Sequence, residues 1–134
     1  MEFVAVLAAG AAAWVFGAIW YMAIAKVWMP AAGVTEEDTQ NTGPLPYVVS
    51  FLMAIVVAGM LRHVLVSSGV TEMGKAVLTG VGLGAFVAVP WMVNNVMYSN
   101  RSKQLIWMDG AYPVIGMGIM GLVLNLLMPG AAAP

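Results

Sequence analysis

Four apolar stretches, each near the length needed to cross a bilayer, constrain this chain more than any other feature. They run roughly from Phe3 to Ala25, Leu45 to Leu61, Ala76 to Asn100 and Leu105 to Met128. A hydrocarbon core about 30 Å thick takes about 20 helical residues to span. Three stretches meet that length. The second meets it by continuing through Arg62 and His63 to about Ser68, with the Arg62 stem snorkelling toward the headgroups. The segments are continuously apolar, without the alternation of barrel strands, so their backbone groups are satisfied within helices. The expected fold is all-α: an integral membrane four-helix bundle with helices roughly at 3–25, 45–68, 76–100 and 105–128.

Composition excludes the soluble alternative. Hydrophobic residues make up 62% of the chain and charged residues 8%, against about a quarter charged in a soluble domain. The start of the chain does not read as a secretory signal, because Met1-Glu2 carries no positive charge and the apolar run that follows is too long. There is no cysteine, which removes disulfides, thiolate chemistry and cysteine-based metal sites. Short connections and almost no tails give the expectation of a single domain over residues 1–134. In the first connection, Thr35-Glu36-Glu37-Asp38 has the spacing of a capping box that opens a short interfacial helix, or else of a solvated acidic turn. Gly-Val-Thr-Glu occurs at both Gly33–Glu36 and Gly69–Glu72, too short a match to indicate duplication.

The aromatic residues are unevenly placed. Of five Trp and four Tyr, all but Trp14 approach one end of the spans: Trp20, Tyr21 and Trp28 close the first, Tyr47 opens the second, Trp91 and Tyr98 lie late in the third, and Trp107 and Tyr112 early in the fourth. Belts are expected at both interfaces. A one-sided collection is therefore either an uneven belt or the lining of a site. The same end carries Lys26, Arg101 and Lys103 against Arg62 and Lys75 at the other, so this aromatic face is expected to be cytoplasmic and both termini outside.

Polar residues within the spans point to the same half of the membrane. Asn94 and Asn95 lie late in the third stretch and Asp109 early in the fourth, at depths that allow them to meet. A carboxylate there needs donors or a cation, and an ionisable residue inside a membrane segment is a candidate functional site. Asp109 also fits a second role, as the N-cap of a helix beginning at Gly110, with Pro113 then near the helix start where it forfeits few hydrogen bonds. The asparagines equally fit interhelical hydrogen bonding. The candidate binding set is Asp109, Asn94, Asn95, Tyr112, Trp20, Tyr21 and Trp91, and no catalytic or metal site is expected. The methionines are scattered without clusters and read as core filling rather than soft-metal ligands. Gly80, Gly82 and Gly84 lie inside an apolar span and do not form a nucleotide loop. Gly80/Gly84, the run Ala9, Ala13 and Gly17, and Gly116, Gly118 and Gly121 give small-residue faces for close helix packing, within one chain or between chains. Pro90 is expected to kink the third helix and free the Phe86 carbonyl.

Taken in order, Gly17-Ala18-Ile19-Trp20-Tyr21, Lys26-Val27-Trp28-Met29, Gly33-Val34-Thr35-Glu36-Glu37, Asn95-Val96-Met97-Tyr98 and Asp109-Gly110-Ala111-Tyr112 resemble the bacterial membrane family known as domain of unknown function 1761. The resemblance covers nearly the whole chain. It implies a compact four-helix protein of the bacterial inner membrane and groups Trp20-Tyr21, Trp28 and Asp109-Tyr112 as a set, without an assigned activity or cofactor. The polar Arg62-His63 pair departs from what the second helix of that family suggests. Two functions fit: a non-enzymatic structural or accessory module that self-associates or joins a larger membrane complex, or a minimal small-solute or ion permease with its polar site at one membrane face. The expected partners are the lipid bilayer and either a second copy or a membrane complex, and not nucleic acid.

Overall fold

The computed structural model describes residues 2–128. Its elements are α1 (Glu2–Ala23), α2 (Ala25–Ala32), α3 (Glu36–Asn41), α4 (Leu45–Ser67), α5 (Met73–Leu83), a π-helical turn (Gly84–Ala88), α6 (Val89–Tyr98) and α7 (Leu105–Leu127), with no strand among the described residues. Four helical runs are long and apolar enough to cross a membrane: α1, α4, α5 through α6, and α7. They alternate in direction, so the aromatic face holds the ends of α1 and α6 and the starts of α4 and α7.

The first and third spans depart from the hydropathy reading. The first span stops at Ala23, where Ile24 leaves helical geometry (φ −103°, ψ 9°), and a separate α2 begins at Ala25. α2 ends on Gly33 at φ 72°. There the Val34 N–H reaches the Met29 carbonyl at 2.9 Å, a left-handed glycine closure. The third span starts earlier, at Met73, and carries its irregularity just before Pro90 as a π-helical turn rather than as a simple kink. Pro90 cannot donate to the Phe86 carbonyl, and one widened turn makes room for its ring while the Val89 N–H reaches back to Gly84.

In the first connection the capping box is formed. Thr35 Oγ1 accepts the Asp38 N–H at 3.1 Å, and Asp38 Oδ2 accepts the Thr35 N–H at 2.9 Å. These two bonds, that from the Thr35 backbone foremost, hold the Asp38 carboxyl below the usual aspartate range.

α7 is the hub of the bundle, packing on α1, α4, α5 and α6. The small-residue faces are used within the chain. A Cβ at Gly80 would run into the Met117 carbonyl, one at Gly84 into the Pro113 carbonyl and one at Gly121 into the Ala76 carbonyl, so α5 and α7 touch backbone to backbone. α1 meets α4 and α7 through Ala5, Ala9 and Ala13, buried with Ala54, Ala58, Leu61, Leu65, Ala76, Met120 and Leu124. This core fills the half of the bundle away from the aromatic face, and no polar side chain is buried among the described residues. At its outer end Arg62 pairs with Glu2 at 2.5 Å. The guanidinium thus ties α4 to the start of α1 as well as reaching toward the headgroups. Asn125 Nδ2 donates to the Thr71 carbonyl at 2.7 Å and pins the α4–α5 connection to α7.

Candidate functional site

Toward the aromatic face the packing is no longer made of alanines. α7 begins at Leu105, its first amides bonded to Ser102 and Lys103 carbonyls, and Gln104 holds the cap position. Asp109 therefore lies inside the helix, beyond its first turn, and is not the N-cap. Pro113 lies deeper still, with no N–H to offer the Asp109 carbonyl.

The Asp109 side chain faces α1 and α2. Its Oδ1 accepts the Tyr21 hydroxyl at 2.9 Å and the Trp28 indole N–H, also at 2.9 Å. One position before Tyr21, the Trp20 indole N–H donates to the Met108 carbonyl at 2.7 Å. Adjacent residues on α1 thus grip adjacent residues on α7. Trp28 reaches Asp109 because α1 breaks at Ile24, where the chain turns and α2 lays Trp28 over a small cluster of Val96, Leu105 and Met108. A continuous α1 would project Trp28 about 1.5 Å further out per residue, away from the carboxylate.

Rings pack around this junction. Tyr21 lies edge-on to Trp28 (centroids 5.5 Å apart, 71°) and to Tyr112 (6.0 Å, 80°). Trp20 lies edge-on to Trp107 at 6.5 Å, and Phe16 bridges Trp20 and Tyr112. Edge-on contacts are favoured because positive ring edges meet negative faces. Tyr112 fits only because Gly17 opposes it: a Cβ there would stand 2.8 Å from the Tyr112 ring.

In front of these rings α1 and α4 separate. Between them lies a cleft of about 520 Å³, whose lining includes Trp14, Gly17, Ala18, Tyr21, Trp28, Tyr47, Ser50 and Tyr112, with Thr39 of α3 at its outer end. Trp14, the one Trp or Tyr set apart from the aromatic face, closes the deep end. It donates to Ser50 Oγ at 2.9 Å and lies edge-on to Phe51 at 5.5 Å. Ser50 in turn donates to the Tyr47 carbonyl at 3.0 Å. Among the described residues the lining holds no Lys, Arg, His, Asp or Glu. Among the described residues Asp109 forms no ion pair, and no group of three or more His, Cys, Asp or Glu could hold a metal.

Of the residues singled out from sequence, the structure brings Asp109, Tyr21, Tyr112 and Trp20 together. It does not bring in Asn94, Asn95 or Trp91. Both asparagines are exposed on α6, their side chains without a hydrogen bond among the described residues, and Trp91 beside them is 71% exposed. Trp28, Trp14, Tyr47 and Ser50 were outside the candidate set. Trp28 and Tyr47 carry a sequence signal in the one-sided aromatic collection, and Trp28 a second in the Lys26–Met29 motif; Trp14 and Ser50 carry none.

A family model described as protein of unknown function (DUF1761) matches residues 4–125. No curated protein and no solved structure matches the chain.

Proposed function

Because the chain belongs to the DUF1761 family, whose description carries no activity, we propose its function from its own geometry: a membrane-embedded accessory module that takes a small bilayer-borne molecule into the cleft between α1 and α4. The cleft itself is the observation that supports this reading. Its volume of about 520 Å³ falls within the range of about 300–1,000 Å³ common for ligand sites, and its lining has the usual character of apolar walls with a few polar groups. It runs from the depth of Trp14 to the headgroup end at Thr39, so a molecule partitioned into the bilayer enters sideways without crossing water. Tyr21 and Trp28 form the fixed back wall, held from behind by Asp109, which does not itself line the cleft. Their donors are spent on the carboxylate, an arrangement suited to holding shape and charge rather than to proton transfer or nucleophilic attack, so the role is binding rather than catalysis.

A minimal permease is less well supported. A polar path within one chain would have to continue through the other half of the bundle, where Ala5, Ala9, Ala13, Ala54 and Ala58 pack without a buried polar side chain among the described residues. Self-association is assigned to α6. The small-residue faces are occupied inside the chain, whereas Trp91, Asn94, Asn95 and Tyr98 share one outward stripe of that helix. An asparagine amide is both donor and acceptor, so it matches the same amide of a second copy across a two-fold axis. We further assign the aromatic face to the cytoplasmic side of a bacterial inner membrane, on the Lys26, Arg101 and Lys103 bias.

The test is native mass spectrometry of the protein released from nanodiscs made in its host membrane. A small-molecule adduct is expected on the wild type and absent from Ala18→Trp, which fills the cleft. Equal adduct patterns on both proteins would refute the cleft as the binding site.

A further inference from the structure

We propose that the molecule held in the cleft is a lipophilic organic cation, with an apolar body and a quaternary or protonated amine head. The inference rests on the cleft being a binding site and adds the ligand's charge. Tyr21 and Trp28 both line the cleft and both direct their only donor hydrogen away from it, onto Asp109 Oδ1. Their rings, not their polar atoms, are what they present to a ligand. A phenol or indole that donates to a carboxylate is polarised by it, which raises the electron density of the ring and strengthens its attraction for a cation. Tyr112, edge-on to Tyr21, adds a third ring to the same wall.

Among the described residues the cleft lining carries no charged side chain; Lys26 of α2 is exposed and outside it, and the carboxylate set directly behind the lining rings is Asp109. Asp109 has no ion-pair partner among the described residues, and both of its hydrogen bonds are to Oδ1. A carboxylate in a poorly solvated place, satisfied by neutral donors alone, is stabilised further by a nearby cation. The outer end is formed by Thr39 of α3, and the same helix carries Glu36, Glu37 and Asp38 in its first turn. Asp109 behind the rings and α3 at the outer end both stand toward the aromatic face, so a cationic head seated against Tyr21 and Trp28 meets attraction there and an anionic head repulsion.

The experiment compares a single-chain alkyltrimethylammonium with its neutral isostere, in which carbon replaces the nitrogen. Each is titrated by tryptophan fluorescence against the full chain in an uncharged maltoside detergent. The cation is expected to bind about tenfold more tightly than the isostere, and Ala18→Trp to abolish binding of both. Asp109→Asn keeps an acceptor for Tyr21 and Trp28 but removes the charge, and should bring the ratio close to one. Tyr21→Phe and Trp28→Phe keep the rings while cutting them from the carboxylate, and should lower the ratio with Asp109 intact. Equal binding of the two probes, lost in Ala18→Trp, would overturn the cationic assignment and leave the cleft reading standing. Failure of both probes to bind the wild type more tightly than Ala18→Trp would overturn the cleft reading and this inference with it. A full cation preference in Asp109→Asn and in both phenylalanine variants would overturn the role given to the carboxylate.

Discussion

Removing the two donors to Asp109, singly and together, should cost more in combination than the sum of the parts. Tyr21→Phe and Trp28→Phe each delete one 2.9 Å hydrogen bond to the same oxygen, Oδ1. A hydrogen bond to a charged group contributes about 1.5–3 kcal/mol in a soluble protein, but interhelical bonds in membranes average about 0.6 kcal/mol and reach about 1.7. The site is half-buried near a membrane face, so each single variant is expected to lose about 1 kcal/mol. Two donors on one oxygen weaken each other, and the survivor strengthens when its neighbour is removed. The double variant leaves the carboxylate with neither donor and is expected to lose about 3 kcal/mol, more than the singles add up to. In an Asp109→Asn background the same bonds are neutral and about half as strong, and the cycle should shrink in proportion. Reversible unfolding in mixed micelles, followed by tryptophan emission for the tyrosine variant and by circular dichroism for all, gives the four free energies. A double variant no less stable than either single would refute the account of Asp109 as held by these two side chains.

The close approach of α5 and α7 predicts that Gly80→Ala and Gly84→Ala each destabilise by about 1–3 kcal/mol, since each Cβ meets a carbonyl that cannot move aside. Gly82→Ala, with open space around it, should be neutral or stabilising by up to about 1 kcal/mol in the same unfolding assay. If α6 carries the contact between copies, Asn94→Leu with Asn95→Leu should abolish a cross-link formed through cysteines introduced at exposed α6 positions, while leaving thermal stability unchanged. For α3, Thr35→Ala should remove hydrogen-exchange protection from the first turn of that helix alone. Acid should have a similar effect. Asp38 is held below its ordinary value of about 3.9, so its contribution is complete above that value and is lost as pH falls through the lower folded value. Exchange measured across that window reports it.

Much of the architecture is written in local hydropathy. Span number, span length and helical character follow from the thickness of the bilayer and from the need to satisfy every backbone group without water. The capping box at Thr35–Asp38 is likewise legible, because both of its bonds join residues three apart. The drift of Trp and Tyr toward one face is plain from their positions along the spans.

What those aromatics do was not legible. α1, α4 and α7 are apolar all round, because the face toward lipid and the face toward the core are built from the same residues, so no stripe marks how each of them is rotated. Rotation and register decide the site. Tyr21 and Asp109 lie 88 positions apart in sequence, and only the packing of α1 on α7 makes them partners. The same packing turns Asn94 and Asn95, which share Asp109's depth, outward on α6. Trp28 joins Asp109 because α1 breaks at Ile24, a boundary that uniform hydropathy hides. From sequence alone, then, the chain is a four-helix membrane protein with one aromatic face and one carboxylate of undecided role. Tertiary structure makes that carboxylate a hydrogen-bonded anchor behind a cleft, because side-chain contacts between helices depend on rotations that hydropathy does not encode.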